Sequence, residues 1–305
     1  MSRGAFDIQV NGYAGADFNR DGLAGADLEQ ACSHLERDGN EGILATIITD
    51  DLPKMENRLA RLTALREQNT IIRNMIRGFH IEGPFISPEP GYVGAHPAAA
   101  VQPASVDAMQ RLLDAAGGLT RLVTLAPEHD SGFKVIRKLH ANGITVAAGH
   151  CDPDLDTLKG AIDAGLSLFT HLGNGCPMQM HRHDNIIQRV LSLSPALWIS
   201  FIADGAHVPW PALKNYLTCA GLNRSIITTD AISAARLGPG RYTLGDREVD
   251  VGEDAVVWAP DRSHFVGSAG TMPQVIARIR SELGLADEDI HALTSTNPRK
   301  AVGIE

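Results

Sequence analysis

The sequence predicts an α/β protein of the (β/α)8, or TIM-barrel, class that forms a single domain over residues 1–305. Three observations support this prediction. Eight short apolar stretches alternate with stretches whose apolar residues recur at helical spacing. The chain of 305 residues is long enough for one barrel of this kind. Residues able to bind metal or move a proton follow several of the strands, at the end where such barrels carry their active sites.

The first half of the chain alternates predicted strands and helices. The strands are predicted at residues 6–10, 43–48, 75–81 and 119–125. The helices are predicted at 23–37, from Asp50 through the regularly spaced Leu59, Leu62 and Leu65, and at 106–116. A loop rich in Pro and Gly spans 84–103 and is longer than a bare connection requires, which indicates a functional segment.

The second half continues the pattern and adds one exception. Strands are predicted at 144–148, 166–170, 198–203 and 225–229, and helices at 133–141, 154–164, 185–193 and from Pro209. After the eighth strand we predict a small β insertion at about 240–266, with a hairpin about Gly245 and Asp246 and a further strand at 255–258. Helices at 271–283 and 287–302 complete the prediction.

The composition excludes several classes of partner. The net charge of −9 and the pI near 5.7 argue against a nucleic-acid or anionic-membrane surface, which would need clustered Lys and Arg. No apolar run approaches the roughly 20 residues of a membrane-spanning helix, and the start of the chain lacks the apolar core of a signal peptide. The four cysteines form no CxxC pair, which suits free thiols in a reducing compartment. We therefore expect a cytoplasmic protein with small-molecule partners.

A metal site is predicted from the ends of three strands. Glu82 ends an apolar strand just before Gly83 and Pro84, and burying a lone carboxylate costs several kcal/mol unless a cation or donors meet it. His150 and His171 end the fifth and sixth strands. Two neutral imidazoles and one carboxylate leave a coordination position open, which is the catalytic arrangement for Zn2+. We expect one divalent ion, with zinc favoured, although other first-row metals accept the same ligands.

Asp230 follows the eighth strand and is the predicted catalytic acid and base. A divalent ion lowers the pKa of water and polarises a carbonyl, and a nearby carboxylate can then take the proton of the water and pass it to a leaving nitrogen. This combination of residues predicts amide hydrolysis.

Each assignment has a structural alternative. A single His at a strand end is more often a hydrogen-bonded structural residue than a ligand, and only the recurrence of His at successive strand ends favours the metal site. Asp230 could instead cap a turn. His80 shares its strand with Glu82 and is expected to support the metal ligands, or else to be satisfied in the core. His207, after the seventh strand, either binds substrate or caps the next helix.

Nine segments that occur together and in order resemble the N-acetylglucosamine-6-phosphate deacetylases of the amidohydrolase superfamily. They are residues 7–12, 78–85, 94–97, 125–128, 149–150, 170–172, 204–208, 229–231 and 267–272. The resemblance covers nearly the whole chain, and nine ordered matches are far more specific than any one of them.

The resemblance implies roles for individual residues. The metal would be held by Glu82, His150 and His171, with Asp230 as general base and then general acid. It also implies that His207 contacts the substrate and that the backbone near Asn174 and Gly175 lines the sugar pocket. Gln9 and Asn11 stand where other family members have a His-x-His pair, so one metal is expected rather than two. A homodimer is implied as well, in which loops near His96 approach the site of the partner.

Three departures from the family pattern affect these expectations. The terminal segments that form a small β-sandwich in relatives are expected to be absent here. The sequence after His171 reads Leu-Gly-Asn-Gly-Cys, where the family usually has Leu-x-Asn-Ala-Met. The segment 180–185 replaces the family's Gly-Arg-Glu-Pro-Gly, whose Arg meets the sugar phosphate. Arg182, with His181 or His183, could form a new phosphate site; otherwise the phosphate site is lost and this cluster is a solvated loop or an adventitious metal site.

Three functions therefore remain in competition. The leading one is a metal-dependent deacetylase of an N-acetylated amino sugar, with N-acetylglucosamine 6-phosphate as the first candidate. The second keeps the metal centre but acts on an unphosphorylated acetamido sugar or another amide. The third is a non-catalytic, sugar-binding barrel.

Overall fold

Eight parallel strands form the centre of the molecule. The computed structural model describes residues 4–244, 247–262 and 264–304. The strands, β1 to β8, pair in chain order and span Ala5–Val10, Asn40–Ile48, Ile76–Glu82, Thr120–Leu125, Thr145–Ala148, Leu166–Phe169, Trp198–Ile202 and Ser225–Thr228. A bridge between Val10 and Ala231 brings the end of β1 to the residues after β8, so the sheet curls into a nearly closed barrel. The predicted (β/α)8 fold is confirmed at this level.

Helices connect the strands and cover the outer face of the barrel. Helices α1 to α9 span Gly25–Arg37, Leu52–Gln68, Thr70–Met75, Val106–Ala115, Lys134–Ala141, Leu155–Ala164, Ile186–Ser192, Trp210–Ala220 and Met272–Leu283. Side chains at several starts satisfy the free backbone N–H groups: Ser105 caps α4, Asp154 caps α6 and Asn185 caps α7. Among the described residues, no helix has the length and apolar character needed to cross a membrane.

The last predicted helix, 287–302, is confirmed as a helical segment, but it contains a π-helical turn that the sequence did not predict. The chain forms α10 at Asp287–His291, a π-helical turn at Ala292–Thr296 and α11 at Asn297–Ala301. Pro298 has no N–H with which to continue the ladder, and the Thr294 hydroxyl donates instead to the carbonyl of Ile290 at 2.8 Å. The interruption places Asn297 under the barrel, where its side-chain amide donates to the carbonyls of Leu222 and Ser225.

A second sheet follows the barrel strands. It consists of the antiparallel strands β9 to β12, at Gly240–Leu244, Arg247–Val251, Val256–Trp258 and Phe265–Ser268. The predicted β insertion is therefore present, with a fourth strand that the sequence analysis did not assign. The predicted turn at Gly245 and Asp246 lies outside the described residues. The expected absence of the β-sandwich stays a prediction.

The barrel interior divides into an apolar and a polar layer. Apolar side chains from seven of the barrel strands, all buried except the partly buried Trp198, pack together at the N-terminal end, where Ala301 and Val302 close the opening. These strand residues are Phe6, Ile8, Leu44, Leu122, Ala147, Leu168, Trp198 and Ile226. Above them, hydroxyl and amide groups of β1, β2, β4 and the ends of later strands form hydrogen bonds. The polar layer lies beneath the C-terminal mouth, where the candidate site is.

Asp7 joins β1 to the end of β8 inside the barrel. Its buried carboxylate accepts hydrogen bonds from the hydroxyl of Thr228, from the hydroxyl of Thr229 at 2.5 Å and from the N–H of Thr229 at 3.1 Å. Burial raises the pKa of Asp7, and these donors oppose that rise. The carboxylate thus fixes the seam at which the barrel closes.

Replacing Asp7 by Ala should therefore destabilise the barrel. Asp7→Ala leaves two hydroxyls and the N–H groups of Gln9 and Thr229 without this acceptor, so we expect the free energy of unfolding to fall by about 2–4 kcal/mol. The exposed Asp163 on α6 is the matched control, and Asp163→Ala should change it by less than about 0.5 kcal/mol. Equal losses in the two variants, measured by urea unfolding, would contradict the role given to Asp7.

Candidate active site

Glu82, the last residue of β3, is the centre of the cluster at the barrel mouth. The chain turns away immediately at Gly83, whose φ of 84° suits glycine and where a Cβ would lie 2.0 Å from the Thr49 hydroxyl. The carboxylate is buried, and its Oε1 accepts a hydrogen bond from Gln9 Nε2 at 3.1 Å. The same oxygen lies 2.9 Å from His171 Nε2 and 3.4 Å from His150 Nε2.

His150 lies just beyond β5 with its ring orientation fixed from behind. Its backbone has a φ of 54°, in the left-handed region. The Nδ1 atom lies 2.7 Å from the carbonyl oxygen of Tyr92, which can only accept, so Nδ1 carries the proton. In the neutral ring, Nε2 therefore directs a lone pair towards Glu82.

His171 lies just beyond β6 and is held through its backbone. Its φ is 36°, and its N–H donates to the hydroxyl of Ser200 on β7 at 2.8 Å. The Nδ1 atom is buried and has no hydrogen-bond partner among the described residues. A polar atom left in this state is typical of a site that a bound ligand or water completes.

The three side chains fit a divalent metal ion. Ligand atoms of Glu82, His150 and His171 all lie within 4.8 Å of one another, and all three residues are buried. The lone pair of His150 and the carboxylate of Glu82 would repel each other unless a positive charge lies between them. The donor set of one carboxylate and two imidazoles, with a position left open, suits Zn2+ and other first-row divalent ions. The cluster therefore satisfies the chemistry that the sequence predicted for it.

The electrostatics of Glu82 favour the carboxylate form. Burial alone would raise the pKa of Glu82, but the contacts with the rings of His150 and His171 outweigh burial and hold the pKa well below its usual range. The carboxyl group of Glu82 is thus ionised at neutral pH.

Asp230 follows β8 at the same mouth. Its φ is 52°, and its Oδ1 accepts a hydrogen bond from Asn11 Nδ2 at 2.7 Å. Burial, and then the charge of Glu82, raise the pKa of Asp230 to about 7. A carboxyl group with this pKa can both take and give a proton near neutrality, as general acid–base catalysis requires.

Gln9 and His80 support the cluster from the polar layer. Gln9 donates to Glu82 through Nε2, and its Oε1 accepts from the Thr170 hydroxyl at 2.8 Å. His80 is fully buried, with Nε2 at 2.8 Å from the Thr124 hydroxyl. Burial lowers the pKa of His80 to about 4, so its ring is neutral at physiological pH. Gln9 thus contacts Glu82 directly, whereas the side-chain contacts of His80 are with Thr124 and, at 3.5 Å, Thr46, so its predicted support of the metal ligands stays a prediction.

His207 forms a pair with Asp204 that the sequence analysis did not find. His207 Nδ1 donates to Asp204 Oδ2 at 2.6 Å, and the other carboxylate oxygen accepts from the N–H of His207 at 2.8 Å. The ring also packs against Phe265 of the antiparallel sheet, with centroids 4.8 Å apart. Pro209, and not His207, occupies the N-cap position of α8, and no side-chain hydrogen bond from the described residues caps that helix start. Asp204 could have been suspected from its spacing of three residues before His207.

Two loops enclose His150. The His96 ring is buried with its centroid 4.4 Å from that of His150, and burial lowers the pKa of His96 to about 3. Gly175, at a φ of 60°, brings its backbone so close that a Cβ would lie 2.9 Å from His150 Nδ1. Asn174 lies beside it, with a buried Nδ2 that has no partner among the described residues. These residues therefore lie around His150 of the same chain, and the roles that the resemblance implied for them, at the sugar pocket and at the site of a partner, stay predictions.

Arg182, by contrast, lies on the surface. It is exposed, as are His181 and His183, whose rings lie 6.1 Å apart. A cavity of about 480 Å3 opens next to this segment. Its lining residues are Tyr92, Asp152, Gln179, Met180, His181, Asp184, Asn185 and Arg189.

A parallel barrel that carries a Glu-His-His cluster and an acidic residue after its eighth strand defines a metal-dependent hydrolase of the amidohydrolase type. No protein-family model matches the chain. The chain is 32% identical over 304 residues to N-acetylglucosamine-6-phosphate deacetylase from Bacillus subtilis (strain 168), covering 99% of this chain and 75% of the relative. It is 30% identical over 303 residues to N-acetylgalactosamine-6-phosphate deacetylase from Escherichia coli O157:H7, covering 98% and 77%.

A solved structure gives the same result. A variant of N-acetyl-D-glucosamine-6-phosphate deacetylase from Mycobacterium smegmatis, in complex with N-acetyl-D-glucosamine-6-phosphate, superposes with a TM-score of 0.87. The two sequences are 26% identical, and the match covers 99% of this chain and 78% of the other. The chain therefore belongs to the N-acetylglucosamine-6-phosphate deacetylase family, which confirms the resemblance.

The Asp204–His207 pair yields a prediction about pH. Burial opposes protonation of His207, but Asp204 outweighs it and raises the pKa of His207 above the ordinary 6.5. Asp204→Asn should lower the pKa of His207, measured from imidazole NMR shifts.

The difference in stability between the wild type and Asp204→Asn should also depend on pH. A raised folded-state pKa stabilises most below the unfolded value, so the advantage of the wild type over Asp204→Asn should be full in mildly acidic solution. It should decline as the pH rises through the folded-state pKa of His207. A pKa of His207 that did not move in the variant would refute the pairing.

Proposed function

We propose that this protein removes the acetyl group from an N-acetylated amino sugar 6-phosphate, with N-acetylglucosamine 6-phosphate as the first candidate. The observation that carries the proposal is the Glu82–His150–His171 cluster beside Asp230 in a chain of this family. We assign one divalent ion, preferably Zn2+, to the cluster. Asp230 is the catalytic acid and base.

The reaction is the hydrolysis of an amide to an amine and acetate. When bound, the divalent ion polarises the amide carbonyl and lowers the pKa of water at the site. Asp230 accepts the proton of the water as its oxygen bonds to the carbonyl carbon, and then donates that proton to the nitrogen as the C–N bond breaks. Asn11 occupies Asp230 Oδ1, so Oδ2 is the oxygen left for this transfer.

His207 is assigned to the substrate. Asp204 holds Nδ1, so Nε2 is the free donor, and the raised pKa keeps the ring cationic over more of the neutral range. A cationic donor suits a phosphate or hydroxyl oxygen of a sugar. Asn174 and Gly175 would line the sugar pocket, with the unpartnered Asn174 Nδ2 available to a ligand.

The identity of the sugar rests on the relatives. One similar protein is named for N-acetylglucosamine 6-phosphate and another for the galacto isomer. The second candidate, an unphosphorylated acetamido sugar or another amide, is supported by two observations about the arginines near the 180–185 segment. Arg182 is exposed, and Arg189 is already paired with the carboxylates of Asp152 and Asp184 and is therefore less available to a phosphate. The sugar-binding alternative without catalysis is weaker, because Asp230 and the three ligand side chains are all in place.

Finer features of the protein are proposed with the function. We propose a single barrel domain over residues 1–305, a homodimer with the loop near His96 at its interface, and a cytoplasmic location. His96 is packed against His150 of its own chain, so a contact with a partner would have to come from neighbouring residues of that loop.

Acetate release from three sugars offered side by side tests the substrate. The purified, metal-analysed protein should hydrolyse N-acetylglucosamine 6-phosphate and be inactive on unphosphorylated N-acetylglucosamine; N-acetylgalactosamine 6-phosphate tests the isomer. Equal turnover of the free sugar would favour the second candidate, and no turnover of any of them would contradict the proposed deacetylation.

Arg182 tests the origin of phosphate recognition. Loss of one charge-assisted contact in Arg182→Ala should raise the KM for the phosphorylated sugar about tenfold or more. The exposed Arg137 on α5 is the control, and Arg137→Ala should leave KM unchanged. An unchanged KM in Arg182→Ala would place phosphate recognition elsewhere.

Asp230→Asn separates catalysis from binding. Without a proton acceptor and donor, kcat should fall about 10²–10⁴-fold, while the bound metal, measured by elemental analysis, stays at the wild-type level. Asp163→Asn on the surface of α6 is the control and should retain full activity. Retention of activity in Asp230→Asn would refute the mechanism.

A further inference from the structure

The orientation of His150 depends on a backbone atom of another loop. Its Nδ1 donates to the carbonyl of Tyr92, in the segment between β3 and α4. The only regular structure described in that segment is a short 3-10 turn at Ala98–Ala100. The carbonyl can orient the ring only if this loop is held in place from elsewhere.

The side chain of Tyr92 can fix the position of this loop. Tyr92 is half-buried, and its hydroxyl lies beside the carboxylate of Asp152, with both side chains lining the same cavity. Asp152 lies two residues after His150, so this contact links the 84–103 loop to the segment that carries the imidazole. One end of Tyr92 thus contacts the ring of His150, and the other end contacts the chain just beyond it.

Asp152 is itself fixed by two neighbours. Its N–H donates to Glu128 Oε1 at 2.7 Å, and its Oδ1 accepts from Arg189 Nη1 at 2.8 Å. Arg189 also donates to Asp184 Oδ1 at 2.6 Å and to the carbonyl of Pro153 at 3.0 Å, and its side chain is only 15% exposed. A guanidinium with three such acceptors is a rigid anchor, in contrast to a solvent-exposed ion pair.

We propose that Tyr92, Asp152 and Arg189 form a positioning relay that sets the orientation and tautomer of His150 for metal binding. The inference rests on the proposed function, because it takes His150 to be a metal ligand. Arg189 holds the carboxylate, the carboxylate holds the tyrosine hydroxyl, and the tyrosine carbonyl keeps the proton on Nδ1. Nε2 is then left as the lone-pair donor directed at the space beside Glu82.

The expected effect lies in metal affinity. Partners that orient a ligating imidazole typically change metal affinity by about 10–100-fold when they are removed. Removal of the Tyr92 hydroxyl leaves the carbonyl present but less well placed, so we expect an effect near the lower end of that range. None of the three residues is assigned to the substrate, so they are positioning residues and not catalytic ones.

The chain contains a matched control for this relay. Tyr13 donates to Asp38 Oδ2 at 2.5 Å, and Arg236 donates to the same oxygen at 2.9 Å. This second Tyr–Asp–Arg group has the same chemistry, and its described contacts include no metal ligand. Tyr13→Phe therefore removes an equivalent hydroxyl without disturbing His150.

The test compares the Zn2+ dissociation constants of the wild type, Tyr92→Phe and Tyr13→Phe by competition with a chromogenic chelator. Tyr92→Phe should bind Zn2+ about tenfold more weakly, and Tyr13→Phe should stay within about twofold of the wild type. Asp152→Asn keeps an acceptor for the hydroxyl but weakens the Arg189 contact, so it too should bind more weakly. The Tyr92→Phe/Asp152→Asn double variant should lose less than the sum of the two.

Two outcomes would overturn the inference. One is a Tyr92→Phe affinity equal to that of the wild type, and the other is an equal loss in Tyr13→Phe, which would indicate a general loss of stability. Either result leaves the proposed function intact, because the wild type still binds Zn2+. A wild type that binds no Zn2+ would overturn both the inference and the proposed metal site.

Discussion

The structure depends on one constraint, which is that a buried carboxylate needs a positive charge or strong donors beside it. Glu82 ends β3 inside the barrel mouth, and Gln9, His150 and His171 approach one of its oxygens from three other positions in the chain. The fold makes this convergence possible because the ends of parallel strands meet at one face of a barrel. Burial, and then the same carboxylate, raise the pKa of Asp230, so the two carboxyl groups are electrostatically linked.

The polar layer beneath the mouth fixes the positions of the side chains behind the Glu82–His150–His171 cluster. Hydroxyls on the barrel strands contact the residues behind the ligands: Thr124 contacts His80, Thr170 contacts Gln9, and Ser200 holds the backbone of His171. Short side chains with a single rotatable hydroxyl can satisfy such partners at little entropic cost. The upper half of the barrel is thus ordered by hydrogen bonds, and the lower half by apolar packing.

Much of the fold could be predicted from the sequence, because alternating strands and helices are local patterns. The clustering of Glu82, His150 and His171, the proposed ligands, near Asp230 followed from the same patterns, since each of these residues ends or follows a strand. The carbonyl of Tyr92, the hydroxyl of Ser200 and the contact of Phe265 with His207 could not be predicted, because they depend on segments that are distant in sequence. The π-helical turn before Pro298 was missed because a regular apolar spacing hides a local break in hydrogen bonding. The surface position of Arg182 likewise depends on how its loop folds.

Three of the residues assigned to the chemistry share an unfavourable backbone. His150, His171 and Asp230 have φ values of 54°, 36° and 52°, a region that costs a non-glycine residue about 1 kcal/mol or more. Glycine would remove this strain at each position but would supply neither a ligand nor a carboxylate. Stability and activity therefore select opposite residues at the same sites, a trade-off built into the backbone itself. Laboratory evolution for thermostability alone should therefore replace residues at this mouth first. The apolar end of the barrel should accept stabilising substitutions under the same selection without loss of function.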